Sequence, residues 1–195
     1  MDCRCSEEEI PYAFLEPYLI AHCSPTLARL KTASLFHLHG CPANLSEQIG
    51  AWNDRLSAKG ITLHILRRQE DAALIYVCRM ASLQTDLQKP GVMPFLSGYG
   101  YGDLEAAAAL EQLRIRLRES SGFPHEIGIF LGYPLEDVRG FIEHAGQRCK
   151  CVGCWKVYGD ECEAMKLFAK FKKCRDVYTR LWQQGRSVWQ LAVAA

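Results

Sequence analysis

No stretch of this chain is apolar over anything near the ~18 residues that crossing a bilayer requires. Runs such as Ala106 to Leu110 and Ile127 to Leu131 are far too short. An excess of one charge is missing too. The 23 Lys and Arg face 22 Asp and Glu, for a formal net charge of +1. That balance argues against a strongly basic nucleic-acid-binding chain. No phosphate-binding glycine loop or dinucleotide fingerprint is present. Ser97 to Gly102 (SGYGYG) has glycines but lacks the strand and helix that such a loop joins. There is no G-x-S-x-G nucleophile elbow. The first residues, MDCRCSEEEIPY, are acidic and have neither the basic nor the apolar region of a secretory signal. The expected compartment is the cytoplasm. No repeat, low-complexity tract or linker divides the sequence, so the expectation is one domain over residues 1–195.

What is present is an ordinary globular composition of 195 residues, 49% hydrophobic. That length is enough for a substantial core. The 10 cysteines stand out. Without an export signal they point to buried thiols, metal ligation or redox chemistry, not to a disulfide framework.

Local patterns divide the chain into strands and helices. Glu7 to Ile20 reads as helical, with Pro17 arguing for a break. Ser46 to Lys59 has a capping serine, Glu47 at its positive end, an Ile49–Trp52–Leu56 face and Gly60 as a stop. Leu30 to Leu38, Ile61 to Leu66 and Ala73 to Arg79 are strand-like, the last two at hairpin spacing. Asp103 to Glu119 is an Ala- and Leu-rich helix, Ile127 to Leu131 a buried strand, and Pro134 to Ala145 a helix with proline in its first turn. Cys151 to Tyr158 is strand-like. Asp160 to Gln183 is the longest helix, opened by Asp160 and Glu163 in a capping arrangement. Interspersed strands and helices with a hairpin make the fold class α+β, a mixed sheet flanked by helices.

Several places have residue types that carry chemistry. Cys23 follows His22 in His22-Cys23-Ser24-Pro25-Thr26, and an imidazolium beside a thiol favours the reactive thiolate. A redox or nucleophilic role requires Cys23 to be exposed and acidic; the alternative is a small buried thiol. His125 and Glu126 precede an apolar run, where a histidine oriented by a carboxylate can act as base or ligand. Cys149, Cys151 and Cys154 have a spacing that could hold zinc or iron with a fourth ligand from Cys162, Cys174, Cys3 or Cys5. A strand, however, would send Cys154 to the opposite face. The Leu131-Gly132-Tyr133-Pro134 turn leads into a helix start that could hold an anion, but Glu136 and Asp137 already place negative charge there. His37 and His39 would share one face of a strand. Arg139 to Arg180 contains ten basic and five acidic residues, with Lys166, Lys170 and Lys173 on one helix face; the simplest reading is a solvated surface.

The strings His22-Cys23-Ser24-Pro25-Thr26-Leu27, Phe123 to Pro134 (FPHEIGIFLGYP), Glu136-Asp137-Val138 with Gly140-Phe141-Ile142, and Trp155 to Asp160 (WKVYGD) resemble the motifs of an uncharacterised bacterial family. It carries a domain-of-unknown-function label and occurs mainly in clostridia and other anaerobic Firmicutes. The resemblance spans most of the chain and brings no established activity. It implies a setting of iron, haem or redox biology, with a flavodoxin as a conceivable redox partner. Within it, Cys23 would be nucleophile, redox thiol or soft metal ligand. His22 or His125 would be base or ligand, Glu126 would orient the histidine, and Tyr133, Trp155 and Lys156 would line a pocket. The rival reading is a non-enzymatic module in which Tyr133, Trp155 and Tyr158 form a ligand or partner surface.

Overall fold

The computed structural model describes residues 13–102, 105–119 and 122–194. Cys3, Cys5, the first part of the Glu7 to Ile20 helix and the cap at Asp103 lie outside the described residues.

Helix α1 (Glu16–Leu27) leads into strand β1 (Ala33–His39), then helix α2 (Leu45–Leu56) with a short 3-10 extension, Ser57–Lys59. The hairpin of β2 (Thr62–Arg68) and β3 (Ala72–Cys78) follows. The next four helices are α3 (Met80–Leu87), α4 (Val92–Ser97), α5 (Ala106–Glu119) and α6 (Ile127–Phe130). Helix α7 (Leu135–Glu143) precedes a small hairpin, β4 (Cys151–Val152) and β5 (Lys156–Val157). Helices α8 (Glu161–Gln183) and α9 (Val188–Leu191) complete the described chain.

The three-stranded sheet has the order β1-β3-β2. β3 lies in the middle and pairs antiparallel with both neighbours, in register from Ala33↔Cys78 to His39↔Ala72 on one side and from Thr62↔Cys78 on the other. The α+β class is as expected. The mixed pairing is not: β1 and β2 run the same way, but β3 separates them, so no parallel pair forms among the described strands.

The central place of β3 follows from its sequence. Leu74, Tyr76 and Cys78 enter a core formed with α3, α5 and α6, while Ala73, Ile75 and Val77 enter a second core with α1 and α2. A strand covered on both faces must be apolar throughout, which is why Ala73 to Cys78 is a continuous run instead of an alternation.

Prolines and glycines account for the remaining departures. Pro17 sits in the first turn of α1, where its missing N–H costs nothing, so it starts the helix instead of breaking it. Pro25 lies inside the same helix, in its last turn. The expected strand at Ile127 to Leu131 is instead the single helical turn α6. All four of its residues are buried, and such a short apolar run has no periodicity to separate helix from strand. Gly128 permits this packing: a Cβ there would meet Val138 Cγ2 at 2.7 Å. Gly132 then turns the chain at φ +75, with Thr32 against it.

Candidate functional site

The loop before α6, the first turns of α7 and the β4–β5 hairpin enclose a cleft of about 310 Å³. Phe123, Tyr133, Phe141 and Trp155 line it, with Leu35, Ile127 and Val138 among its aliphatic wall. Its polar lining includes His125, Cys154, Lys156 and Asp137.

Asp137 holds the cleft together. It is 3% exposed in the first turn of α7, and its carboxylate accepts three hydrogen bonds at 2.7 Å. Trp155 Nε1 donates to one oxygen, and the backbone N–H groups of Tyr158 and Gly159 donate to the other. The carboxylate at this helix start thus ties the small hairpin to α7. Trp155, so fixed, stacks on Tyr133 with centroids 4.6 Å apart and presents an edge to Phe168 at 4.5 Å. Gly140 lets the hairpin approach, since a Cβ there would overlap the Tyr158 ring. Lys156 Nζ donates to the Gly146 carbonyl at 2.7 Å and lies 5.8 Å from the Phe141 ring centroid. Burial, and then the neighbouring Cys154 thiolate, push the Tyr133 phenol up to about 12.

His125 lies exposed at the cleft, tilted against Phe141 at 4.9 Å and Phe123 at 6.0 Å. Its neighbour Glu126 does not orient it. Glu126 is 1% exposed, and its Oε1 accepts from Arg116 Nε and from the Tyr101 hydroxyl at 3.4 Å. Arg116 also donates to the Tyr99 carbonyl at 2.9 Å. The carboxylate therefore fastens the loop before α6 to α5. Glu126→Ala should cost about 3 kcal/mol, because it leaves a largely desolvated Arg116 without its counter-charge. Chemical denaturation measures this, and a loss below about 1 kcal/mol would show the pair to be dispensable.

Cys23 is 0% exposed, in the core between α1, α2 and the sheet. Burial pushes its thiol up to about 12, against smaller opposing effects of Lys31 and a hydrogen bond with Ser34. This is the opposite of the exposed, acidic thiol that a redox role requires. His22, next in sequence, points the other way around the helix and stacks on Phe36 at 5.1 Å and Tyr18 at 6.5 Å. Burial, and secondarily Arg175, lower its pKa. Adjacency in the chain did not make a pair, because successive helical residues point about 100° apart. Cys23 packs in the core on one face of the sheet, whereas His125 borders Ile127, Leu131 and Val138 of the core on the other.

Nor do the three cysteines of the hairpin segment converge. Cys149 and Cys151 are partly buried and Cys154 is exposed. Among the described residues no three His, Cys, Asp or Glu side chains come together as a metal ion would need, so this donor set does not fit zinc or iron. The Cys151 thiol is pushed up by desolvation first and then by Glu161, again away from a ligating thiolate. His37 and His39 do share one strand face, both exposed, with rings 6.3 Å apart. No described helix is long and apolar enough to cross a membrane.

The structure thus brings His125, Tyr133, Cys154, Trp155 and Lys156 around one cleft and leaves Cys23, His22 and Glu126 outside it. One nearby residue had no signal in the sequence. Lys31, in the turn after α1, places its ammonium 5.2 Å from the centroid of the Tyr133 ring. No curated protein and no solved structure matches the chain. A family model does, over residues 19–192, a span that holds every element described above except the very start of α1. The chain belongs to the family described as Protein of unknown function (DUF3793).

Proposed function

We propose that this protein is a binding module whose ligand is a small, planar, largely apolar molecule held in the cleft between α7 and the β4–β5 hairpin. The observation that carries the reading is the cleft's lining. Four aromatic side chains, Phe123, Tyr133, Phe141 and Trp155, surround about 310 Å³. Small-molecule sites are of this kind: mainly apolar walls with a few polar groups that fix orientation. His125 and Cys154 are exposed at the lining and suit that orienting role. Phe123 at 40% and Val152 at 66% exposure extend the apolar surface to the rim. A stacked Tyr133–Trp155 pair pinned by Asp137 is a rigid platform, so little ordering entropy opposes binding. The thiol- and metal-dependent alternative has lost its main support, since Cys23 is buried and protonated and the hairpin cysteines do not assemble.

The test is titration with N-phenyl-1-naphthylamine, a neutral, largely apolar fluorophore built of flat aromatic rings. Saturable one-to-one binding is expected, weakened about tenfold in Phe141→Ala, the loss of one well-buried aromatic contact. Absence of saturation, or binding that Phe141→Ala and Phe123→Ala leave unchanged, would overturn the reading. Tight capture of a protein partner through Phe123 and Val152, with no dye binding, would also overturn it.

A further inference from the structure

The three-stranded sheet has two outer edges, β1 and β2, and they are finished differently. In an antiparallel ladder successive residues turn their N–H and C=O alternately toward and away from the partner strand. The Thr32 carbonyl accepts from the Arg79 N–H at 3.0 Å, and the Gly40 N–H donates to the Asp71 carbonyl at 3.0 Å. Even-numbered residues of β1 therefore face β3, and Leu35, His37 and His39 turn their backbone groups outward. Cys78 and Tyr76 of β3 are left to face Thr62 and His64, so in β2 it is Leu63 that turns outward.

The β2 edge is closed. Asn53 of α2 meets the outward groups of Leu63. The Leu63 N–H donates to its Oδ1 at 2.7 Å, and its Nδ2 donates to the Leu63 carbonyl at 3.0 Å. One carboxamide thus supplies the acceptor and donor of a neighbouring strand. Further on the ladder shifts between Ile65 and Arg67, and Arg67 and Arg68 put charge on the edge. Bulges and charges are the devices by which natural sheets turn away another strand. The β1 edge has none of these. Leu35 to His39 (LFHLH) contains no lysine, arginine, carboxylate, proline or glycine, and its register with β3 is unbroken. Among the described residues nothing bonds to the outward N–H and C=O of Leu35, His37 or His39. His37 and His39 are exposed and Leu35 is half-buried, whereas Ala33, at the start of the strand, is fully covered.

We propose that β1 pairs antiparallel with β1 of a second copy of this chain, about a twofold axis at His37, so that two sheets become one. Donors and acceptors alternating at strand spacing are matched by the main chain of another strand. A twofold axis at His37 sets that residue against its own copy and Leu35 against His39. Every outward donor then meets an acceptor, in about six hydrogen bonds. Identical edges satisfy this condition by symmetry, and no like charges face each other across the axis. Addition of a foreign peptide draws its selectivity from pockets for alternate side chains. Neither His37 nor His39 borders the aromatic cleft, so along most of this edge only the main chain is read. The pairing does not depend on that cleft being occupied.

The experiment is sedimentation velocity of the full-length protein under reducing conditions, which exclude a disulfide-linked dimer. We expect a species of twice the 22.0 kDa chain mass. His37→Pro removes an outward N–H that the ladder with β3 does not use, and should give a folded monomer, with thermal unfolding as the check. His37→Lys and His37→Glu change an exposed side chain and keep the strand. Each alone places like charges at the axis and should weaken the dimer about 5-fold, and mixing the two variants should restore it. A monomeric wild type would overturn the proposal, including one that takes up a strand from another protein. So would a dimer that all three variants leave unchanged. The dye titration reads the aromatic cleft, so failure of one assay is distinguishable from failure of the other.

Discussion

Arg79→Leu should remove at least about 4 kcal/mol of folding stability, most of what a domain of this size usually has. Arg79 is 3% exposed, and among the described residues no carboxylate pairs with it. Its guanidinium instead donates to four backbone carbonyls. Nε reaches Thr26 at 2.8 Å, Nη2 reaches Leu27 at 2.8 Å and Val193 at 2.7 Å, and Nη1 reaches Lys59 at 2.9 Å. Thr26 and Leu27 are the last residues of α1, whose carbonyls have no partner within the helix and carry the negative end of its dipole. Lys59 ends the 3-10 turn after α2, and Val193 belongs to the segment after α9. One cation thus joins the ends of three separate segments to the end of β3. Leucine keeps the apolar stem but removes four hydrogen bonds from a charged donor, each worth about 1.5 kcal/mol or more, although the Thr26 and Leu27 carbonyls keep backbone donors in Arg29 at 3.2 Å and Val193 at 3.0 Å. Arg79→Lys should fall between, since one ammonium cannot span all four acceptors. Urea unfolding by circular dichroism decides the matter. A midpoint for Arg79→Leu within about 1 kcal/mol of wild type would mean that water replaces the guanidinium without loss.

Arg79 also shows what a sequence hides. It was legible only as the last residue of a strand-like run, because its partners lie far from it in the chain and are main-chain atoms that any residue supplies. Elements whose signal is local were readable. The hairpin of β2 and β3, the Asp160 cap with its bond from the Glu163 N–H, and the helix at 161–183 all appear close to where the pattern puts them. Ile127 to Phe130 misled because burial on every side erases periodicity. The same split runs through the candidate site. Tyr133, Trp155 and Lys156 were found through strings shared with a family. Their geometry, a platform pinned by Asp137, depends on contacts 18 to 22 residues apart. At Cys23 and Glu126 residue type suggests chemistry, while burial and partners, which the sequence does not display, decide whether chemistry is accessible.

Alkaline conditions should destabilise this protein steeply, by roughly 4 kcal/mol between pH 9 and 11 from its two most buried raised thiols. Burial pushes Cys23 up to about 12 and Cys78 up to about 11. In the unfolded chain both titrate near their ordinary value of 9.0. Below that value both states hold the protons and the thiols contribute no slope. Above it the unfolded chain sheds them while the folded chain keeps them, so the folded state binds more protons and stability falls as pH rises. Each thiol contributes about 1.4 kcal/mol per pH unit until its folded pKa is passed. Tyr133 and Tyr178, both raised to about 12 chiefly by burial, steepen the fall above pH 10. Cys23→Ala should lose about 1–2 kcal/mol at neutral pH through the small cavity it leaves, yet show a shallower alkaline slope than wild type. Denaturant titrations at half-unit steps from pH 7.5 to 10.5 separate the two effects. A flat profile would mean that Cys23 titrates in the folded state as an exposed thiol does. Alkylation by iodoacetamide gives the independent reading: exposed Cys154 and Cys162 should react at once, and Cys23 only as fast as the protein unfolds. A Cys23 that reacts alongside them would restore the nucleophile suggested by its sequence motif. One that waits for unfolding makes Cys23 a packing residue of the core around α1 and α2.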